Sequence, residues 1–359
     1  MKRFLTVLVV LTMCVAMGSA ALADKVGVSM PTQSLQRWNE DGAYLQAELE
    51  GAGYEVDLQF ADNDIAMQLS QVENMLTGGC KAIVITAVEA SSLGTAMDLA
   101  LKMGVPIIGH DRLIVNTDAI SYYASFDNTR VGAVQGQYIV DTLGLADGAG
   151  PFNLEIVAGD PGDTNAGYFY KGAMDLLMPF IENGQLVVPS GQIEFDVVAT
   201  PTWATAVAQA RFDDIITANY TTGAALDAVL CSNDSTAMGV INALTNAGFT
   251  DENWPIITGQ DCDKANMQYI VAETAPKQSM SVFKDTRTLA ARTLSMVQAV
   301  LEGTEPDIND TTTYDNGVKI VPSFLCDPVF GNKDNYVELL IDSGYYVEVD
   351  GAFFTPDEI

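Results

Sequence analysis

The sequence is poor in the residues that most metal and catalytic sites need. It has one histidine, His110, and five cysteines, none of them in a C-x-x-C pair. Zinc sites are built from clustered cysteine and histidine, so we expect no metal site and no cofactor. G-x-S-x-G, P-loop and Rossmann G-x-G-x-x-G motifs are also missing. Since a lone histidine without a paired nucleophile argues against a catalytic triad, we expect a protein that is not an enzyme.

Basic residues are scarce as well. Lysine and arginine number 17 against 47 aspartate and glutamate residues, which gives a formal net charge of −30. A surface of this sign repels phosphate backbones, so we expect no nucleic-acid partner. The apolar fraction of 48% excludes a disordered chain, and the length of 359 residues favours two domains.

Long apolar runs are missing beyond the N-terminus. Residues 1–3 are a short basic start, 4–17 an apolar run, and 18–23 a small-residue tail that ends in A-x-A. This layout predicts a secretory signal peptide over 1–23, and hence export to a periplasm or to the outer face of the cell membrane. The run is too short to span a bilayer. Lipid attachment at Cys14 is the alternative, but the preceding methionine is larger than the residue usual in such a signal.

Apolar strands alternate with amphipathic helices along the rest of the chain, which predicts parallel sheets covered by helices on both faces. In the first half we predict strands at 26–30, 54–60, 82–88 and 105–109, and helices at 37–50, 64–76 and 93–103. In the second half we predict strands at 152–158, 193–199, 228–231, 256–259 and 279–283, and helices at 165–181, 205–218 and 235–246.

The two halves also share a motif. A strand at 82–85 leads through a helix to P-I-I-G-H-D, which ends at Asp111, and a strand at 228–231 leads to P-I-I-T-G-Q-D, which ends at Asp261. Chance similarity between buried strands would explain the apolar letters but not the matching aspartate. The recurrence predicts two copies of one doubly wound α/β unit. Because such sheets bind ligands at the carboxyl ends of their strands, we expect a site in the cleft between two lobes.

The residues that follow the predicted strands have a consistent chemistry. Carboxylates, amides and guanidinium groups can each bridge neighbouring hydroxyl groups, and flat indole rings suit the C–H faces of a pyranose. The pattern therefore predicts a sugar site. Its ligand-binding residues are predicted to be Arg37, Trp38, Asp111, Arg112, Asp163, Asn165, Trp203, Asn233, Asp261 and Lys284.

Several of these residues have other interpretations. Helix capping is an equal alternative for Asp163 and for Asp234, since helices begin directly after them. Trp38 could belong to the core. His110 is interpreted as a strand-end residue near the cleft. A disulfide between Cys231 and Cys262, both near predicted strand ends, is left open.

A carbohydrate hydrolase with paired carboxylates is the enzyme alternative. Fixed arginine and lysine partners would lower the pKa values of such carboxylates and so disfavour a general acid among them.

Taken together, the motifs resemble those of the periplasmic sugar-binding proteins of ABC importers, in particular the xylose-binding and multiple-monosaccharide-binding group. The resemblance covers essentially all of the chain after residue 23. It is carried by R-W at 37–38, Q-L-S-Q-V-E-N-M at 68–75, D-R-L at 111–113, F-D-N at 126–128, D-T-N-A at 163–166, G-Q-D at 259–261, V-F-K at 282–284 and N-G-V-K-I-V-P-S at 316–323.

The resemblance implies a type I periplasmic binding protein fold, with two doubly wound lobes joined by a three-stranded hinge. We place the first lobe at 24–126 plus 285–321 and the second at 127–284 plus 322–359. Sugar contacts are implied at Arg37, Asp111, Arg112, Asn165, Asn233, Asp261 and Lys284, with stacking at Trp38 and Trp203. Departures from the family pattern at Gln33, His110 and Thr164 leave the exact sugar open.

The resemblance also implies partners. These are a monosaccharide such as glucose, galactose, xylose or arabinose, and the membrane permease of an ABC transporter, with the binding protein itself a monomer. A chemosensory receptor is a further partner to consider, and a receptor for a furanose signalling molecule is the alternative within the binding class. A sugar-responsive transcription regulator shares the fold, but its helix-turn-helix would stand where the signal peptide is predicted.

Overall fold

The computed structural model describes residues 23–221 and 223–359. The predicted signal peptide, except Ala23, and Cys14 lie outside the described residues. No helix of the described part is long and apolar enough to cross a membrane.

The elements follow one another as an alternation of strands and helices. The first part contains β1 (Lys25–Met30), α1 (Gln36–Gly51), β2 (Glu55–Phe60), α2 (Ile65–Thr77), β3 (Ala82–Ile85), α3 (Gly94–Met103), β4 (Ile107–His110) and β5 (Ile120–Phe126). The middle part contains α4 (Asn128–Thr142), β6 (Phe152–Val157), α5 (Thr164–Glu182), β7 (Leu186–Val187), α6 (Phe195–Val198), α7 (Thr205–Asn219), β8 (Ala228–Cys231), α8 (Asp234–Asn246), β9 (Ile256–Ile257), α9 (Lys264–Ile270) and β10 (Ser281–Phe283). The last part contains α10 (Thr286–Glu302), β11 (Ser323–Cys326), β12 (Val329–Gly331), β13 (Val347–Val349) and β14 (Ala352–Phe354).

The first sheet has six parallel strands in the order β11-β5-β4-β3-β1-β2. Its strands β3 and β4 are buried throughout, because α2 and α3 cover one face and α1 and α10 the other. Burial on both faces explains why these strands read as continuous apolar runs in the sequence.

The second sheet has four parallel strands in the order β7-β6-β8-β9, with α4 and α5 on one face and α7 and α8 on the other. Fold class and the presence of two doubly wound units are thus as predicted from the sequence. The strand predicted at 193–199 is wrong, since this segment forms the short helix α6 and the sheet edge is occupied by β7. A short apolar run cannot distinguish a strand from a buried helical turn by periodicity alone.

The chain passes between the lobes after β5, after β10 and after β11. Strand β10 pairs antiparallel with β12, so two of the three crossing segments lie side by side. Strand β11 pairs with β5 in the first sheet. Residues 323–326 therefore belong to the first sheet, and β12 begins at Val329. The sequence motif N-G-V-K-I-V-P-S ends at the start of β11, which is why it marks the strand and not the crossing.

The cysteines of the described part are all free and buried. The disulfide left open between Cys231 and Cys262 is therefore not formed. The Cys262 Sγ instead lies 3.8 Å from the carbonyl oxygen of Ser281.

A buried carboxyl group lies where α1 meets the C-terminal segment. Glu40 accepts a hydrogen bond from Gln36 Nε2 at 2.7 Å, and its other oxygen lies 3.1 Å from the Tyr345 hydroxyl. Burial raises the pKa of Glu40 to about 7, against the opposing effects of the Gln36 bond and the positive charge of Lys264. Because the folded pKa exceeds the unfolded one, ionisation of Glu40 destabilises the fold as the pH rises from about 4.5 to 7.

We expect Glu40→Gln to remove this pH dependence, since the amide oxygen can accept from Gln36 and the amide nitrogen can donate to the Tyr345 hydroxyl without acquiring charge. The variant should gain stability over the wild type at pH 8 but not at pH 4.5, by on the order of 3 kcal/mol, given a rise in pKa from 4.5 to about 7 and about 1.4 kcal/mol per pKa unit. Thermal unfolding across this pH range measures the difference. Glu48→Gln, at an exposed position of the same helix, is the matched control. A stability difference between Glu40→Gln and the wild type that is the same at every pH would contradict a raised pKa of Glu40.

Candidate functional site

A narrow cavity lies between the carboxyl ends of the two sheets. All ten residues predicted from the sequence line it: Arg37, Trp38, Asp111, Arg112, Asp163, Asn165, Trp203, Asn233, Asp261 and Lys284. Four further residues complete the lining: Leu35, Phe169, Gln260 and Asp263. The cavity is therefore built from both lobes and from the crossing segment that follows β10.

Arg37, near the start of α1, connects three carboxylates. Its Nε donates to Asp41 at 2.7 Å, its second terminal nitrogen to Asp111 at 2.8 Å, and its first terminal nitrogen to Asp261 at 2.9 Å. Asp41 and Asp111 belong to the first lobe, whereas Asp261 belongs to the second. Burial opposes the charge, but the three carboxylates raise the pKa of the guanidinium well above its ordinary value.

Asp111 and Asp261, the aspartates that end the repeated motif, share an unusual backbone. Their φ angles are 58° and 96°, in the left-handed region that few residues other than glycine adopt. The backbone N–H of each donates to the next strand, Asp111 to Ala124 at 2.8 Å and Asp261 to Val282 at 2.9 Å. The repeat thus extends from sequence to backbone geometry, and it directs both carboxylates at the same guanidinium.

Lys284 provides a second cation between these aspartates. Its Nζ lies 3.2 Å from Asp261 and 3.9 Å from Asp111. Burial alone would raise the pKa of Asp111, but the charges of Lys284 and Arg37 outweigh it and lower that pKa to about 2. Asp111 is therefore ionised at neutral pH and can accept hydrogen bonds but not donate a proton.

A second interlobe ion pair lies beside the tryptophans. Arg112 Nε is 2.8 Å from Asp163 Oδ2, and the same oxygen accepts from the indole N–H of Trp203 at 3.3 Å. The Arg112 guanidinium also lies 4.8 Å from the ring centre of Trp38. Trp203 packs on Gly159, where a Cβ atom would come within 1.9 Å of the ring, so only glycine leaves room for the indole.

The amide residues of the cavity are held by hydrogen bonds. Asn165 Nδ2 donates to the carbonyl oxygen of Asp111 at 2.8 Å, and its Oδ1 accepts from Asn128 at 2.9 Å. Asp163 caps α5 by accepting from the Asn165 N–H, so it both caps a helix and lines the cavity.

The capping alternative for Asp234 is wrong. Asn233 is the N-cap of α8 and forms a capping box with Thr236. Asp234 instead lies fully buried one position later, where its carboxylate accepts from Gln278 and Ser281. The predicted helix began one residue too late, which shifted the cap by the same amount.

The sequence did not identify Leu35, Phe169, Gln260 and Asp263. Gln260 and Asp263 flank Asp261 and could have been inferred from that proximity, whereas Leu35 and Phe169 gave no signal beyond being apolar. His110 is fully buried, but its Nδ1 lies 2.8 Å from Thr293 on α10, and it does not line the cavity. His110 is the last residue of β4, whereas Asp111 lies beyond the strand with a left-handed backbone, and the two side chains have different partners.

The chemistry of the cavity is that of polar recognition. Three cations, four carboxylates and three amides provide donors and acceptors, and indole and phenyl rings provide apolar surface. Such paired groups suit a small, uncharged molecule with many hydroxyl groups.

Curated proteins with similar sequences cover almost all of the chain. The multiple sugar-binding periplasmic receptor ChvE of Rhizobium radiobacter is 46% identical over 336 residues, which are 93% of this chain and 94% of the relative. The D-xylose-binding periplasmic protein of Escherichia coli strain K12 is 31% identical over 345 residues, 95% of this chain and 98% of the relative.

Solved structures show the same architecture. An ABC transporter solute binding protein from Clostridium phytofermentans with bound β-D-glucose has a TM-score of 0.88 and 57% identity, over 90% of this chain and 99% of its own. A carbohydrate transporter solute binding protein from Chloroflexus aurantiacus in complex with D-glucose has a TM-score of 0.81 and 32% identity, over 90% and 97%. Residues 26–305 match the periplasmic binding protein domain. The chain therefore belongs to the periplasmic binding protein family, with the type I fold of two doubly wound lobes.

Proposed function

We propose that this protein captures one monosaccharide, as a pyranose, between its two lobes and delivers it to the permease of an ABC transporter. The observation that carries the proposal is the convergence of polar groups from both lobes on one cavity that has Trp38 and Trp203 in its lining. The ten residues predicted from the sequence are proposed as the sugar contacts.

The lining of the cavity favours a single sugar ring. Charged and amide side chains from both lobes face each other across a narrow space that has Trp38 and Trp203 in its lining. Each hydroxyl group of a sugar can donate and accept, so it can bridge a carboxylate and a cation that now face each other directly. An oligosaccharide would be favoured only if the cavity extended to the surface of the protein.

Contacts across the cleft indicate how binding is coupled to closure. Arg37 with Asp261, Arg112 with Asp163, and Asn165 with Asp111 each join one lobe to the other. A sugar that touches both lobes makes its full set of contacts only in the closed form, so it shifts the population toward that form. The closed shape is then what the permease recognises.

The names of similar proteins support the choice of sugar. The Rhizobium relative is described as a multiple sugar-binding receptor, the Escherichia coli relative as D-xylose-binding, and the Clostridium structure holds β-D-glucose. D-glucose and D-xylose are therefore the first sugars to test. Two structures described as binding galactofuranose or fucofuranose are 17% identical and support the fold alone.

The remaining parts of the proposal follow from the sequence. We propose that residues 1–23 direct export and are removed, that the mature protein is a monomer, and that it acts in the periplasm or at the outer face of the membrane. The sequence prediction divided the last part of the chain at 321/322, and the pairing of β11 with β5 supports a first lobe of 24–126 and 285–326 and a second of 127–284 and 327–359. A chemosensory receptor remains a proposed second partner.

A thermal-shift screen of common monosaccharides tests the function. A sugar present at about 100 times its Kd should stabilise the protein by about 2.7 kcal/mol. Product analysis after incubation with each sugar and its glycosides separates binding from hydrolysis, and we expect no product. A furanose that shifts the melting temperature more than every pyranose would favour the furanose receptor.

We expect sugar binding to change the tryptophan fluorescence through Trp38 and Trp203. The third tryptophan, Trp254, donates to the Lys277 carbonyl at 2.8 Å and does not line the cavity. The change should persist in Trp254→Phe and be lost in the double variant Trp38→Phe/Trp203→Phe. A response that survives in the double variant would place the sugar elsewhere. Trp203→Ala should also weaken binding about tenfold through lost ring contact.

A further inference from the structure

A second set of contacts joins the two lobes outside the cavity, and we call it the interlobe latch. It consists of Gln36 and Glu40 on α1, and Lys264 and Tyr346 in the second lobe. Gln36 Nε2 donates to the Tyr346 hydroxyl at 2.9 Å and to Glu40 at 2.7 Å, and Gln36 Oε1 accepts from the Lys264 N–H at 3.0 Å. One side-chain amide thus makes two hydrogen bonds across the cleft and one within its own helix.

The two residues that Gln36 contacts in the second lobe are both fixed by their own surroundings. Tyr346 is buried in a cluster with Tyr345 and Phe353, and its hydroxyl donates to the carbonyl of Cys262 at 3.1 Å. Lys264 is the first residue of α9, so its N–H is one of the backbone donors that a helix leaves without an internal partner. Gln36 satisfies that donor from the other lobe, and the amide has partners for both its oxygen and its nitrogen.

The latch lies next to the cavity but does not belong to it. Gln36, Glu40 and Lys264 line a separate surface cavity between α1 and the C-terminal segment. Of the latch residues, none lines the cavity of the proposed sugar site. Arg37, one residue after Gln36, points the other way and reaches Asp111 and Asp261. The helix therefore presents adjacent residues to two different interlobe contacts.

On the basis of the proposed function, we propose that the interlobe latch sets the affinity and residence time of the bound sugar without touching it. The two cross-lobe bonds of Gln36 require the lobes to be closed. Any free energy they add to the closed form is added equally to the binding of every sugar that closes the protein. Direct sugar contacts, by contrast, change the preference between sugars.

Gln36→Ala tests the latch. Two hydrogen bonds are lost, so we expect affinity to fall roughly tenfold. The loss should be the same factor for D-glucose and D-xylose, whatever their individual affinities. It should reside in faster dissociation, since the sugar meets the open form before the latch closes. Calorimetry and stopped-flow fluorescence of the full exported chain measure both quantities.

Gln46→Ala is the matched control. Gln46 lies on the same helix and donates to Glu50 at 2.7 Å with the same spacing as Gln36 and Glu40, but it is partly exposed and its side chain has no cross-lobe hydrogen bond. We expect wild-type affinity for this variant. Tyr346→Phe removes the partner hydroxyl and keeps the ring. The fold loss of sugar affinity in the double variant Gln36→Ala/Tyr346→Phe should be smaller than the product of the fold losses in the two single variants.

Three outcomes decide the question. Equal affinities for Gln36→Ala and Gln46→Ala, with a wild type that binds sugar, would overturn the latch and leave the proposed function intact. A loss that differs between D-glucose and D-xylose would also overturn it, because Gln36 would then act on the sugar. A wild type that binds no monosaccharide would overturn both the latch and the function on which it rests.

Discussion

Asp111→Ala is expected to weaken sugar binding by at least about 100-fold, because a hydrogen bond to a charged group contributes roughly 1.5–3 kcal/mol and this carboxylate can accept more than one. The ionised carboxylate faces Arg37 and Lys284, and its backbone carbonyl holds Asn165. Removal of the carboxylate leaves both cations without one of their partners in the closed form. The open form is solvated, so the melting temperature of the sugar-free protein should stay close to that of the wild type.

Calorimetric titration with D-glucose measures this loss. Because Asp111 has a φ of 58°, which asparagine tolerates better than alanine, Asp111→Asn separates the loss of charge from backbone strain. Asp118→Ala removes an exposed aspartate paired with Lys319 at 3.0 Å and serves as the control. Wild-type affinity in both Asp111 variants would remove Asp111 from the site.

Arg37→Lys is expected to weaken sugar binding by about 100-fold, although the charge is kept. Three nitrogens of the guanidinium serve Asp41, Asp111 and Asp261 in one plane, and a single ammonium group cannot reach all three. The substitution leaves at least one of the three carboxylates without its hydrogen bond from Arg37, which is strongly destabilising for a buried pair. Only the contact with Asp261 crosses the cleft, so its loss weakens the closed form alone.

The same titration serves for Arg37→Lys, with Arg130→Lys as the matched control. Arg130 pairs with Asp327 at 2.6 Å on the exposed surface, where exchange of one cation for the other should change little. An Arg37→Lys protein that binds D-glucose as well as the control would show that the planar arrangement of donors is not needed.

Most of the fold could be predicted from hydrophobic periodicity. Buried parallel strands such as β3 and β8 are short continuous apolar runs, and the helices between them have one apolar face. The repeated P-I-I strand with its terminal aspartate predicted two similar units, and both aspartates adopt a left-handed backbone and contact Arg37. All ten residues proposed as sugar contacts line one cavity, because strand ends of parallel sheets meet at one edge.

The remaining features depend on contacts that no local pattern records. Segment 193–199 has an apolar composition, but β7 takes the sheet edge and leaves α6 outside it. Strand β11 joins the first sheet through pairing with β5, more than 190 residues earlier in the chain. The interlobe latch joins Gln36 to Tyr346, and neither residue has a spacing or motif that identifies its partner.

A crystal structure of the protein grown with D-glucose would show whether the sugar lies between the lobes. We expect one pyranose per chain, enclosed by both lobes, with hydroxyl groups within hydrogen-bond distance of Asp111 and Asp261 and a ring face against Trp38 or Trp203. A sugar bound to one lobe only, or at the surface away from these aspartates, would contradict this expectation.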